Sequence, residues 1–266
     1  MCSKKLTLFY LIFFCGICNG YFLLFGLDLI VVCRGKDNNL VATGMAEDRD
    51  EKYKVKRERM VKVQLQGRDI NDPQVLESML QVPRHLFVPD SQMSRAYDDH
   101  PIPIGEGQTI SQPYIVALMT QLARPRKSHK ILEVGTGSGY QSAVISMLVD
   151  RVYSIESVVN LAEKSSQILT ELAYDNVQVR NGNGCQGWPE ESPFDCILVT
   201  AAPKQVPPLL LDQLAIGGRL VIPVGSESWN QTLLVIKRTK KGFQRRKVIP
   251  VRFVPMTGED QDHGVP

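Results

Sequence analysis

Between Lys130 and Val224 short apolar runs of strand length alternate with amphipathic stretches of helical length, and this alternation constrains the fold more than any other feature. Strands are predicted over Lys130–Val134, Arg151–Ile155, Val177–Arg180, Phe194–Thr200 and Arg219–Val224. Helices are predicted over Tyr140–Val149, Val158–Leu172 and Leu209–Leu214. The near-continuous apolar run Phe194–Thr200 suits a strand buried on both faces. Strand–helix alternation implies right-handed crossovers, hence an α/β fold with a doubly wound, mostly parallel sheet and helices on both faces. Thr232–Arg238 and Arg245–Phe253 flank Lys240-Lys241-Gly242 and read as a C-terminal antiparallel hairpin. Its many Lys and Arg read as a solvated edge. Upstream, Asp72-Pro73 marks a helix start ended by Pro83, Val82 to Gly107 reads as loop with short extended pieces, and Pro113 opens another helix.

The first 59 residues obey a different pattern. Leu6–Cys33 is a run of 28 residues with one charge, Asp28, and Lys4 and Lys5 precede it. As a helix it would extend about 42 Å, more than the roughly 30 Å of a bilayer core. Residues 1–33 are therefore expected to be a membrane anchor, a signal-like segment, or a stretch upstream of a later start at Met45 or Met60. No small-x-small cleavage site interrupts the run, which weighs against the signal peptide. Residues 34–59 read as a charged linker; residues 49–62 hold seven Lys or Arg against three Asp or Glu. As an anchor the segment would place the downstream domain on the cytoplasmic side. The Cys15-Gly16-Ile17-Cys18 spacing lies in an apolar run without the context of a redox site. Six Cys in 266 residues exclude a disulfide scaffold, and a net charge of +3 gives no argument for a nucleic-acid partner.

The turn Glu133-Val134-Gly135-Thr136-Gly137-Ser138-Gly139 sits where a strand passes into a helix. Glycine lets the backbone turn tightly and a ligand approach closely. The spacing is G-x-G-x-G, not the G-x-G-x-x-G of dinucleotide sites, and no P-loop Lys follows. Glu156 ends the next strand, 21 residues after Gly135, where an acid can accept hydrogen bonds from both hydroxyls of a ribose. Glu133, ahead of the glycines, disfavours a pyrophosphate. A cationic ribose-bearing ligand such as S-adenosylmethionine suits these residues best. A nicotinamide cofactor, or a turn with no ligand, remains the alternative at this level.

Ile131–Tyr140 (ILEVGTGSGY), Phe194–Ala202 (FDCILVTAA), Gly217–Gly225 (GGRLVIPVG), Val82–Val88 (VPRHLFV), Arg252–Thr257 (RFVPMT) and above all Pro103–Tyr114 (PIGEGQTISQPY) resemble blocks of the protein-L-isoaspartate O-methyltransferases. The resemblance covers roughly Met60 to Gly258, so 60–266 is expected to be the methyltransferase domain. It implies methyl transfer from S-adenosylmethionine to the free α-carboxylate of L-isoaspartyl residues in age-damaged proteins and peptides, which starts their repair. It further implies that Ser111 is the active-site serine, with Thr109 and Ile110 lining donor and substrate. Glu133, Gly135, Gly137 and Gly139 would hold the methionine end of the donor and Glu156 its ribose. Thr257 would lie near the donor. Where the family usually carries Gly-Asp-Gly beside the adenine, this chain has Gly182-Asn183-Gly184, which keeps a carbonyl acceptor but not the charge. That departure, with Cys185 next to it, motivates an alternative: a donor-binding module without catalysis.

A carboxylate nucleophile is ionised at neutral pH, its reference pKa being about 3.3–3.7, so the reaction needs no general base. Positioning and exclusion of water then supply most of the acceleration. No metal is expected, since His85, His100, His129 and His263 show no ligand spacing. Ser111 would orient the acceptor carboxylate by donating a hydrogen bond; taken alone it could equally cap the helix that Pro113 opens. Asp195 and Cys196 read as structural. The protein is expected to be a cytoplasmic monomer, or to be tethered through residues 6–33.

Overall fold

The computed structural model describes residues 12–15, 20–25, 28–33, 51–226 and 230–256. The chain divides into two compact units, Met1–Glu51 and Lys52–Pro266. In the first, β1 (Ile12–Cys15), β2 (Gly20–Phe25) and β3 (Asp28–Cys33) form an antiparallel sheet in the order β1-β2-β3. The described parts of the apolar run are strands, whereas the membrane-anchor reading assumed a helix. Phe, Tyr, Ile and Val make up more than half of these three strands, residues that fit a pleated surface better than a helix. Among the described residues no helix is long and apolar enough to cross a membrane.

The second unit begins with a helix where the charge pattern predicted linker. Residues 51–59 form α1, which continues into a wider π turn over Met60–Gln66. What makes this segment ordered is its anchoring. Met60, Val61 and Leu65 are buried, and Tyr53 stacks on His85 with ring centroids 4.1 Å apart. Lys56 Nζ donates to Ser94 O at 2.6 Å and Arg57 Nη1 to Tyr97 Oη at 3.4 Å, so charges read as solvated grip the loop region instead. The linker reading is corrected for 51–59.

Helix α2 (Pro73–Gln81) starts as predicted, with Asp72 Oδ1 accepting from Gln74 N at 2.9 Å and Val75 N at 3.3 Å. The stretch after Pro83 is two short 3-10 turns, Arg84–Phe87 and Asp90–Arg95, followed by a small hairpin of β4 (Ile102–Gly105) and β5 (Gln108–Ile110). Helix α3 (Pro113–Ala123) then leads into the main sheet.

That sheet uses β6 (Lys130–Val134), β7 (Arg151–Glu156), β8 (Val177–Asn181), β9 (Phe194–Val199), β10 (Leu214–Val224), β11 (Gln231–Thr239) and β12 (Gly242–Val251) in the order β12-β11-β10-β9-β6-β7-β8. Strands β8, β7, β6, β9 and β10 run parallel, while β11 and β12 form the antiparallel hairpin. Helices α4 (Tyr140–Ser146), α5 (Val159–Glu171) and α6 (Pro208–Asp212) connect them. Strand β10 begins five residues earlier than predicted. Gly217-Gly218 were expected to precede the strand; they lie inside it, at a register shift between Leu214 and Arg219. A positive φ of 91° at Gly217 is the kind of conformation such an irregularity uses.

One apolar layer packs Val116, Met119, Ile131, Val144, Leu198, Val221 and Val235 on one side of the sheet. The other packs Leu132, Tyr153, Trp188, Ile197, Leu220 and Ile236. Strand order reverses between β6 and β9, because β7 and β8 follow β6 to one side while β9 and β10 lie to the other. Such a switch point opens a crevice at the carboxyl ends of the strands.

Candidate active site

The crevice at the switch point is lined by Gln108, Thr109, Val134, Gly135, Gly137, Ile155, Glu156, Ser157, Gly184, Thr200, Ala201, Val254, Pro255 and Met256. The glycine loop is fixed from both neighbouring strands. Gly135 N and Thr136 N donate to Ile155 O on β7, and Thr200, just beyond β9, donates its N–H to Val134 O at 2.9 Å and its hydroxyl to Gly135 O at 2.6 Å. Gly135 has φ +98°, and a Cβ there would collide with Thr200 Oγ1, so both conformation and space require glycine.

Glu156 closes β7 with its carboxylate on the crevice. Oε2 accepts from Gly137 N at 2.8 Å and Oε1 from Val158 N at 3.0 Å. These bonds aim the carboxylate and leave acceptor lone pairs for a ligand's hydroxyls. Among the described residues no Lys, Arg or His lines the crevice.

Glu133 sits differently. It is fully buried and does not line the crevice; its Oε2 accepts from the Ser142 hydroxyl and from Ser154 Oγ at 2.8 Å. Thr136 Oγ1 lies 2.6 Å from Ser154 Oγ, so a chain of hydroxyls ties the glycine loop to this carboxylate. Oε1 has no partner. Burial pushes the Glu133 pKa up to about 7 against the opposing effect of the two serine hydrogen bonds, and the charge of Glu156 adds to the rise. Its place is beneath the loop, as a brace.

Of the other residues singled out in the sequence, Thr109 lines the crevice from β5, whose hairpin is held to α5 by Asn160 Nδ2 donating to Glu106 Oε1 at 3.0 Å. Ile110 is buried beside it. Ser111 follows; its hydroxyl makes no hydrogen bond among the described residues, and the N-cap of α3 is Gln112 without a side-chain cap. The capping alternative for Ser111 is therefore not realised. Gly139, with φ +85°, lies 3.3 Å from the Leu169 side chain when a Cβ is placed on it, so it lets α4 pack on α5 and is not part of the lining. Gly184 does line it, and a Cβ there would collide with Val134. Asn183 does not; its Oδ1 accepts from Cys185 N at 2.9 Å, capping the turn Gly184–Gln186. Thr257 lies outside the described residues. Asp195 Oδ2 accepts from Lys130 N at 2.9 Å and joins the starts of β9 and β6.

Two contributors lie in blocks that the sequence marked without singling out these residues. Met256, Pro255 and Val254 reach the crevice because the chain returns after β12 and bridges Pro255 to Ala202. Arg84 is completely buried, donates from Nε to Ala96 O and from Nη2 to Ser111 O, both at 2.7 Å, and lies 4.8 Å from the Tyr140 ring centroid. Its pKa is lowered to about 10 by burial. A cation held this way fixes the backbone of Ser111 from behind. The only sequence signal was a charged residue inside an otherwise apolar block.

A profile of the family described as protein-L-isoaspartate(D-aspartate) O-methyltransferase matches residues 55–261. A protein-L-isoaspartate O-methyltransferase of a Synechococcus species is 54% identical over 79% of this chain and 88% of its own. That of Gloeobacter violaceus is 50% identical over 77% of this chain and 100% of its own. Among solved structures, a protein-L-isoaspartate O-methyltransferase superposes with a TM-score of 0.70 at 29% identity, covering 76% of this chain and 66% of the other. A Plasmodium falciparum protein described as a putative enzyme of this kind, in complex with S-adenosyl-L-homocysteine, gives 0.65 at 28% identity over 75% and 97%.

Proposed function

The chain belongs to the protein-L-isoaspartate(D-aspartate) O-methyltransferase family, and from that premise we propose how its own residues divide the work. The protein transfers a methyl group from S-adenosylmethionine to the free α-carboxylate of L-isoaspartyl residues in damaged proteins, which starts their repair. The nicotinamide reading falls away with the family.

The residues of the crevice fit that donor. Glu156 offers free acceptor positions to ribose hydroxyls, the backbone at Gly135 and Gly137 leaves room for close approach, and Val134, Ile155, Ala201 and Met256 give apolar walls for a base. When bound, S-adenosylmethionine supplies a methyl already activated by the sulfonium charge. The chain has to orient the partners and exclude water. A crevice that contains a carboxylate and no cationic side chain favours a positively charged ligand. Glu133 acts on the donor through the loop it braces. Asn183 Oδ1 accepts from Cys185 N, so the residue that stands where the family usually has an acid is committed to the turn beside Gly184.

Ser111, just beyond Thr109 of the crevice wall, donates to the acceptor carboxylate. Its hydroxyl, unengaged among the described residues, and the Arg84 bond to its carbonyl support this role. The single observation that carries this reading is the Glu156 carboxylate, aimed by Gly137 N at the switch-point crevice. Residues 60–266, with α1 added, are the catalytic unit. It works as a monomer in the cytosol, where the donor is made; cell fractionation and light scattering test both points.

The test of catalysis is transfer of label from S-adenosylmethionine to an isoaspartyl peptide by the full chain, with the aspartyl peptide as control. Equal labelling of both peptides defeats the substrate assignment, and tight donor binding without turnover returns the non-catalytic module. Ser111→Ala is expected to leave donor affinity within about twofold. Because a hydrogen bond to a charged group contributes about 1.5–3 kcal/mol, kcat/KM should fall about 10–100-fold. Unchanged turnover rejects the role.

A further inference from the structure

A second cleft, of about 740 Å³, opens at the amino end of the sheet and is lined by Arg124, Arg126, Arg219, Arg246 and the start of α2. Its arginines come from three separate elements. Arg219 lies on β10, opposite Lys237 on β11, and two residues on Val221 pairs with Val235, which pairs with Arg246 on β12. Side chains alternate along strands, so Arg219, Val221, Val235 and Arg246 share one face. Val221 and Val235 pack with α3 on that face, and Arg124 and Arg126 follow α3.

Among the described residues none of the four guanidinium groups makes an ion pair or a hydrogen bond. Among the described residues Asp72 is the only acid in the lining, and its Oδ1 accepts from the N–H groups of Gln74 and Val75. The Arg219 guanidinium is held below its ordinary pKa, first by burial and then by repulsion from Arg124 and Arg246.

Edge protection is the ordinary explanation for basic residues on a hairpin such as β11–β12, where residues 231–252 carry eight Lys or Arg and no acid. It covers Arg246, on the edge strand β12. It does not cover Arg219, since β10 lies between β9 and β11. Nor does it cover Arg124, which takes a left-handed conformation, φ +52°, at a helix end where glycine is the usual residue. Unpaired guanidinium groups facing one concavity are a ready anion site, because each offers a planar fork of donors to phosphate oxygens.

We propose that this cleft binds a phosphate chain of three or more charges, a polyphosphate or the triphosphate of a nucleotide, with Arg124, Arg126, Arg219 and Arg246 as its ligands. Carboxylates of an acidic peptide bring one charge each on separate side chains. Phosphates linked through shared oxygens bring several charges into one concavity, which matches four converging cations. The cleft lies at the opposite end of the strands from the donor crevice and shares no lining residue with it.

Calorimetric titration of the full chain with sodium tripolyphosphate tests the assignment. A parallel titration uses ATP with the donor crevice saturated by S-adenosyl-L-homocysteine. One site per chain is expected at physiological salt. Arg246→Ala and Arg126→Ala, both at exposed positions, should each weaken binding about tenfold, the scale of a lost hydrogen-bonded charge contact. Arg245→Ala is the control: Arg245 pairs with Ile236 and so faces the other side of the sheet. It removes the same charge and should change affinity less than about twofold. Equal affinity for the two probes assigns the site to the phosphate chain alone, and tighter ATP to a nucleotide. Absence of saturable binding, an equal loss in Arg245→Ala, or a hexaglutamate peptide competing as well as tripolyphosphate overturns the proposal.

Discussion

The two ends of the parallel sheet are built from the same strands and carry opposite electrostatics. At the carboxyl end, glycines remove side chains from the path of a ligand and Glu156 faces the crevice, with Glu133 buried behind it and no cation in the lining. At the amino end four arginines from β10, β12 and the end of α3 face a wider cleft whose one acid is already engaged. The difference lies in how each charge is held. Glu156 is aimed by two backbone N–H groups and Glu133 by two serine hydroxyls, whereas the four guanidinium groups have no partner among the described residues. A charge fixed by the fold is preorganised for one geometry and works without reorganising. Charges left unpaired attract a counter-ion without specifying one pose.

The largest expected effect comes from removing the room at the carboxyl end. Gly135→Ala places a Cβ against Thr200 at a backbone angle that suits glycine alone. Strain and displacement of Thr200 together should cost about 3 kcal/mol or more and lower kcat/KM by more than about 100-fold. Steady-state kinetics of the folded variant measures it, and near-normal activity would mean that the loop is not preorganised. Next comes Glu156→Ala, which removes the acceptor proposed for the ribose and frees Gly137 N. Donor affinity should drop about 100-fold by calorimetry, the scale of hydrogen bonds to a charged group. Tripolyphosphate binding should be unchanged, so a loss at both ends would show that the two clefts are not independent.

The third effect is on the pH dependence of stability and leaves activity at neutral pH least changed. Glu133 has a folded pKa of about 7, raised by burial from an ordinary 4.5. The folded state therefore binds more protons between those values. The contribution to stability is fully present below about pH 4.5 and is lost as pH rises through about 7, by roughly 3 kcal/mol. Glu133→Gln, which cannot ionise, should flatten this part of the stability profile and melt higher than the parent at pH 8. Parallel melting curves for the two proteins across that range would reject the assignment.

Most of this architecture was legible in the chain. The alternation from Lys130 to Val224 depends on local hydrophobic period, which sequence carries directly, and it led to the right sheet. The donor crevice was legible for the same reason: Gly135, Gly137 and Glu156 lie on one strand–turn–helix unit and the strand after it. The apolar run before Cys33 was open to several readings, because hydrophobicity alone does not separate a long helix from three short strands. The segment 51–59 misled, because its charges gave no hint that Lys56 and Arg57 would meet Ser94 and Tyr97 nearly forty residues on.

What the sequence determined by itself was every feature set by neighbours along the chain: the order of strands and helices, the Asp72 cap, the glycine turn, and the acid that ends β7. Tertiary structure alone decided whether a charged group meets solvent, a ligand or a buried partner. It turned Glu133 under the loop, buried Arg84 behind Ser111, and gathered Arg124, Arg219 and Arg246 from distant elements into one cleft. The physical reason is that burial and Coulomb interaction depend on distance in space, and a residue's own segment does not record what the rest of the chain will bring against it.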